Sequence, residues 1–134
     1  MPVPARVVID TNVVVSALWS ADGKPADILG MIPAETIQPY VNHAILAEYR
    51  KVLTRPKLRF SGMITQQILA LFNEYAITVS ASPAPLKTHD PSDQVFYDVA
   101  CTADAWLITG NAKDFPVDER IVTPAQFLTM EHLR

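Results

Sequence analysis

Residues 7–18 read V-V-I-D-T-N-V-V-V-S-A-L, and their interpretation decides the fold. Val7, Val8 and Ile9 form a β-branched apolar run suited to a strand buried on both faces, as strands are in the parallel sheets of α/β proteins. Asp10, Thr11 and Asn12 interrupt the apolar character at a single point. A carboxylate at the end of such a strand lies at the rim where open α/β sheets bind ligands. Residues 12–19 can continue as a buried helix or as a second strand, because periodicity does not separate the two in an apolar run. The Val13-Val14-Val15 run by itself favours a strand, whereas D-T-N supplies good helix-capping residues; a helix is expected.

Working outward, residues 20–25 (S-A-D-G-K-P) carry a loop signal and residues 26–31 a short helix. Residues 36–41 read as a second strand, although Pro39 cannot donate to a central ladder. Residues 42–54 read as a helix capped by Asn42, with Ile45, Leu46, Tyr49, Val52 and Leu53 on one stripe. Residues 64–75 repeat the helical pattern through Ile64, Ile68, Leu71 and Phe72, and residues 77–79 read as a strand. The proline-bearing run 80–88 is a loop. Asp90 then suits an N-cap, Pro91 the first helical position and Asp93 the first turn of a helix burying Phe96, Val99, Ala100 and Ala103. A buried strand over 105–109, a short strand over 120–122 and a closing helix over 124–133 complete the chain. This alternation predicts an α/β fold, three layers α/β/α with a mainly parallel central sheet.

A chain of 134 residues is one domain's worth, so residues 1–134 are expected to form one domain. Hydrophobic residues at 49% and charged residues at 19% exclude the disordered class. The formal charge of −3 lacks the basic balance of a protein that holds nucleic acid mainly through phosphates, so any such contact should be local. Cys101 is the only cysteine; it cannot form an intramolecular disulfide, and a semi-buried small hydrophobe in a reducing compartment is expected. The apolar run after Arg6 is broken by Asp10 and Asn12 and is too short to span a bilayer. A soluble, cytoplasmic protein is the expectation.

Most of the fourteen acidic residues must be solvated surface, so position has to discriminate among them. Asp10 is either the N-cap of the following helix or a functional carboxylate. Glu48 lies roughly 100° from the centre of its helix's apolar stripe, neither buried nor fully outward. With Phe96 as zero, Asp93 sits about 60° from the buried face and Asp98 about 200° away, so Asp98 should point to water. Asp93 can equally serve as a favourable charge in the first helical turn. In T-G-N-A-K-D-F, residues 109–115, Asp114 either joins Asn111 over the end of the preceding strand or is the third residue of a turn that Asn111 caps.

The strings I-D-T-N around Asp10, I-L-A-E-Y around Glu48, D-P-S-D-Q-V-F around Asp93 and T-G-N-A-K-D-F around Asp114 together resemble the PIN-domain nucleases over nearly the whole chain. That resemblance also requires a helix over residues 12–19. It implies a metal-binding catalytic site made of Asp10, Glu48, Asp93 and Asp114, with Thr11, Asn12, Thr109 and Asn111 as supporting polar residues. The D-P-x-D helix opening and the I-V-T-P-x-x-F-L tail, residues 121–128, are similar to those of toxin–antitoxin PIN proteins (VapC-like). The G-N-A-K-D-F string differs from the shorter G-D-K-D-L of many of that subgroup. The implied activity is that of a metal-dependent endoribonuclease neutralised by a cognate antitoxin protein, in a possible homodimer. The alternatives are a PIN nuclease of RNA processing or structured DNA, and a catalytically silent PIN scaffold that binds RNA or protein.

Converging carboxylates repel one another and need a cation to remain ionised at neutral pH. Oxygen-only ligands without clustered histidine or cysteine select a hard cation, Mg2+ or Mn2+; His43, His89 and His132 show no ligand spacing. Arg50, Lys51, Arg55, Lys57 and Arg59 crowd five of the eleven basic residues into one segment. They are either RNA or partner contacts, or solvated charges favoured by a helix C-terminus. Trp19 and Trp106 sit in apolar elements and are expected in the core rather than as base-stacking platforms.

Overall fold

The computed structural model describes residues 3–130. In it Ala5–Ile9 form strand β1, whose Val7 and Val8 are fully buried, as expected of a strand covered on both faces. Asp10 ends the strand and caps helix α1, Thr11–Trp19, by accepting a hydrogen bond from the Thr11 amide. The capping residues therefore prevail over the strand tendency of Val13-Val14-Val15. Helix α2, Lys24–Gly30, starts earlier than the sequence signal suggests, with Pro25 in its first turn, where a missing N–H costs nothing.

Strand β2, Ile37–Val41, leads into helix α3, His43–Leu53, capped by the Asn42 side chain on the Ile45 amide. Helix α4, Gly62–Tyr75, precedes the two-residue strand β3, Ile77–Thr78. Helix α5, Pro91–Ala103, strand β4, Trp106–Ile108, strand β5, Ile121–Val122, and helix α6, Pro124–Leu128, follow. The expected closing helix thus stops at Leu128; residues 131–133 of its expected span, with His132, lie outside the described residues.

All strand pairings are parallel, and the order is β3-β2-β1-β4-β5. Helices cover both faces of this five-stranded sheet in a three-layer α/β/α arrangement. Helix α5 packs on β1, β2 and β4, while α1 packs against α2 and α3. The chain moves outward from β1 to β2 and β3, then returns to place β4 on the other side of β1. The strand order therefore reverses between β1 and β4, which is the crevice where open α/β sheets bind ligands. Among the described residues no helix is long and apolar enough to cross a membrane.

Pro39 does sit inside a central strand. It is tolerated because β3 pairs only with Tyr40 and Val41, so the ladder on that side begins after the proline. Gln38 spans the gap, its side-chain amide donating to the carbonyls of Pro39 and Tyr75. The buried face of α4 is rotated by one residue from the expected stripe: Thr65, Leu69 and Phe72 are buried, while Ile64 is 40% exposed. Thr65 faces α3, where its hydroxyl donates to the Leu53 carbonyl, beside the buried Leu69 and Phe72.

Candidate functional site

Local sequence brings each acid to its place by a different device. Asp10 is fixed by the end of β1, Glu48 by the third helix, Asp93 by the first turn of α5 behind its Asp90 cap, and Asp114 by a single 3-10 turn, Ala112–Asp114, after β4. All four line one cleft of about 480 Å³ at the β1–β4 crevice, together with Thr11, Asn12 and Asn111. Sequence alone joins these acids only through a family pattern; in the fold they share one surface.

Asp10 is the most constrained of them, being 6% exposed. Its Oδ1 accepts from the Thr11 amide at 2.8 Å, and its Oδ2 accepts from the Thr109 hydroxyl at 2.7 Å and the Asn12 amide at 3.1 Å. Asn12 in turn accepts from the Gly110 amide, and the Thr109 hydroxyl accepts from the Asn111 amide. The four supporting polar residues thus differ in role. Asn12 and Thr109 tie β1 to the segment after β4, Asn111 contributes its backbone, and the Thr11 hydroxyl is buried without a partner among the described residues. Burial still raises the Asp10 pKa, aided by the nearby Asp114 charge, and the three hydrogen bonds only partly oppose it. Tyr49, fully buried beneath, donates its hydroxyl to the Ile9 carbonyl. Burial and the Asp10 charge push its phenol well above the usual range, so it keeps the donated proton.

Asp93 reports the electrostatics of the whole cleft. Its pKa is raised to about 6, first by burial and then by the charges of Asp10, Asp90, Asp114 and Glu48. Asp93 thus feels the charges of the other three acids of the cleft and of its own helix cap. Among the described residues no three acidic, histidine or cysteine side chains already form a metal-holding group. The donor chemistry nevertheless fits a hard divalent ion: oxygen ligands only, concentrated negative charge, and an unpartnered threonine hydroxyl. Asp10, Glu48, Asp93 and Asp114 are the residues that could hold it.

The fold divides the basic segment. Arg55 and Lys57 line the cleft, whereas Arg50, Lys51 and Arg59 do not. Arg50 and Lys51 lie in the last turn of α3, where cations suit the helix end.

Two expectations are corrected. Asp98 does not simply face water: it is half-buried and accepts from the Ala84 amide at 2.9 Å and the Gln94 side chain at 2.8 Å, pinning the 80–88 loop to α5. Asp98 does lie on the side of the helix away from the core, but a loop covers that side. Trp19 is 63% exposed and lies at the cleft rather than in the core, while Trp106 is half-buried in β4. Besides Thr11 at its start, the cleft-facing residues of α1 are Asn12, Val15, Ser16 and Trp19, spaced i, i+3, i+4, i+7 along one helical face. The polar Asn12 and Ser16 on that face are the sequence signal that it is not a core face.

A family model described as a PIN domain matches residues 6–113. The span includes Asp10, Glu48 and Asp93 and ends one residue before Asp114. The chain is also 35% identical over 109 residues to an uncharacterized protein of Methanocaldococcus jannaschii, across 79% of this chain and 70% of that protein.

Proposed function

This chain belongs to the PIN-domain family, whose members are in general nucleases, and from that premise we propose that it is a metal-dependent endoribonuclease acting as the toxin of a toxin–antitoxin pair. The observation that carries this reading is the convergence of Asp10, Glu48, Asp93 and Asp114 on one cleft at the β1–β4 crevice. The toxin role rests on the similarity of the D-P-x-D opening and the tail over residues 121–128 to toxin–antitoxin PIN proteins. Its partners are then RNA, a cognate antitoxin and a second copy of the chain.

The four carboxylates would hold Mg2+ or Mn2+, which when bound supplies Lewis-acid polarisation of the phosphodiester and positive charge near the leaving oxygen. The protein's own groups divide the remaining work. Asp10 is held in one orientation by its three hydrogen bonds, so its carboxylate needs no reorganisation during the reaction. Asp93, whose carboxyl is raised to about 6 by burial and by the charges of the neighbouring acids, would be held ionised by the bound cation. Arg55 and Lys57 lie along the same cleft and can grip backbone phosphates of the bound strand away from the scissile bond.

The purified protein should cleave RNA when Mg2+ or Mn2+ is present and stop when chelator is added. A panel of single-stranded RNA, structured RNA and flap DNA separates a toxin-type ribonuclease from a processing or structure-specific nuclease. Cleavage by Asp10→Asn at the wild-type rate would overturn the assignment. For the toxin role, expression should arrest growth, and co-expression of a small DNA-binding protein encoded beside it should relieve the arrest.

A further inference from the structure

The cleft is chemically polarised. Asp10 stands at the start of α1 within electrostatic reach of Asp93 and Asp114, whereas Trp19 ends α1 and Arg55 and Lys57 lie beyond the C-terminus of α3. Two adjacent helices line it: Asn12, Val15, Ser16 and Trp19 from α1, and Glu48 and Val52 from α3, continued by Arg55. Trp19 is 63% exposed, an unusual state for the largest apolar side chain. It is backed by Phe60, with ring centroids 6.1 Å apart and planes tilted by 47°. Among the described residues Arg55 and Lys57 form no ion pair, so their charge is available to an anionic partner.

We propose that Trp19 is a base-stacking platform: it receives an unpaired base of a single-stranded nucleic acid whose flanking phosphates are held by Arg55 and Lys57. The inference rests on reading this cleft as a nuclease's and adds to that reading a base-stacking subsite at Trp19. An aromatic face beside cations is the combination that binds single strands, the ring taking a base and the cations tracking the backbone. A duplex keeps its bases stacked inside and offers no free face to the indole. From Thr11 to Trp19 the helix rises roughly 12 Å, about three or four nucleotides at the ~3.4 Å spacing of a stacked strand. The stacked base would therefore lie a few nucleotides from the phosphate at the acids. Nothing in this arrangement reads a base edge, so the subsite would select strandedness more than sequence.

The test measures binding in chelator, where cleavage is silent. A short fluorescein-labelled single-stranded RNA, and the same strand annealed to its complement, are titrated by fluorescence anisotropy into the full chain. The wild type should prefer the single strand. Trp19→Ala should weaken single-strand binding by roughly 5- to 150-fold, the range that one stacked base commands, and leave duplex binding unchanged. Trp19→Phe should recover most of the loss, because a smaller ring still stacks. Trp19→Gln, which retains a long polar side chain suited to the exposed position, serves as a second variant without a ring and should behave as Trp19→Ala. Equal binding of single strand and duplex, absence of any RNA binding, or unchanged single-strand affinity in both ringless variants would each overturn the proposal. Unchanged affinity together with an altered oligomeric state on size exclusion would assign Trp19 to a protein contact instead. The nuclease reading fails separately: a chain that binds single strands through Trp19 but cleaves none with Mg2+ or Mn2+ keeps the subsite and loses the enzymatic assignment.

Discussion

Thr109 donates its hydroxyl to Asp10 Oδ2 over 2.7 Å, joining two residues 99 positions apart in the chain. One ends β1 and the other follows β4, so the bond closes the seam where the strand order reverses. It holds in place the most buried carboxylate of the cleft.

Thr109→Val keeps the shape of a fully buried residue and removes this bond. A hydrogen bond to a charged group is worth about 1.5–3 kcal/mol, and a loss of that size is expected in urea denaturation at neutral pH. The bond lowers the Asp10 pKa because it favours the ionised carboxylate. The loss should therefore be largest where Asp10 is charged and shrink as pH falls and the carboxyl protonates.

The folded-state pKa of Asp93 is raised to about 6 from 3.8. The folded chain therefore binds more protons than the unfolded chain between those values, and the stability this group contributes is complete below 3.8 and lost as pH rises through about 6. In chelator, Asp93→Asn should flatten the fall in melting temperature across that window. It should melt above wild type at about pH 7 and close to it at about pH 4. Added Mg2+ should raise the wild-type melting temperature near neutral pH and raise that of Asp93→Asn less.

Asp10→Asn keeps a side-chain acceptor for the Thr11 amide, the capping bond that starts α1. It should remain folded by circular dichroism while RNA cleavage falls on the order of 100-fold or more, the scale for losing one preorganised electrostatic group. Parallel loss of fold and activity would make Asp10 a structural cap alone.

Arg55 and Lys57 line the cleft, and Arg50 and Lys51 do not. Replacing Arg55 and Lys57 together by glutamine should weaken single-strand binding. It should also reduce the slope of log affinity against log salt by roughly 1.4, at ~0.7 for each phosphate no longer neutralised. The same change at Arg50 and Lys51 should leave the slope unaltered.

The limits of the sequence are visible in particular residues. Asn42 as the cap of α3, Asp90 as the cap of α5 and the β-branched strand at residues 7–9 are all legible, because each is set by neighbours within a few positions. The rotation of α4 is not legible, since packing against α3 buries Thr65, Leu69 and Phe72, with the Thr65 hydroxyl on the Leu53 carbonyl, and leaves Ile64 exposed. Asp98 escapes a local reading for the same reason: the 80–88 loop returns over the helix and takes its carboxylate as an anchor.

The candidate site divides along the same line. By itself the sequence determined the α/β alternation and the aspartate that ends the first strand, because strand tendency and turn residues act over a few positions. Only the tertiary structure decided that β4 lies beside β1, which brings Thr109 and Asp10 together. It also decided that the Asn12–Val15–Ser16–Trp19 face opens on a cleft and that Arg55 and Lys57, rather than their basic neighbours, share it. Strand order and the covering of a helix face depend on what packs from far along the chain, and no local pattern encodes that.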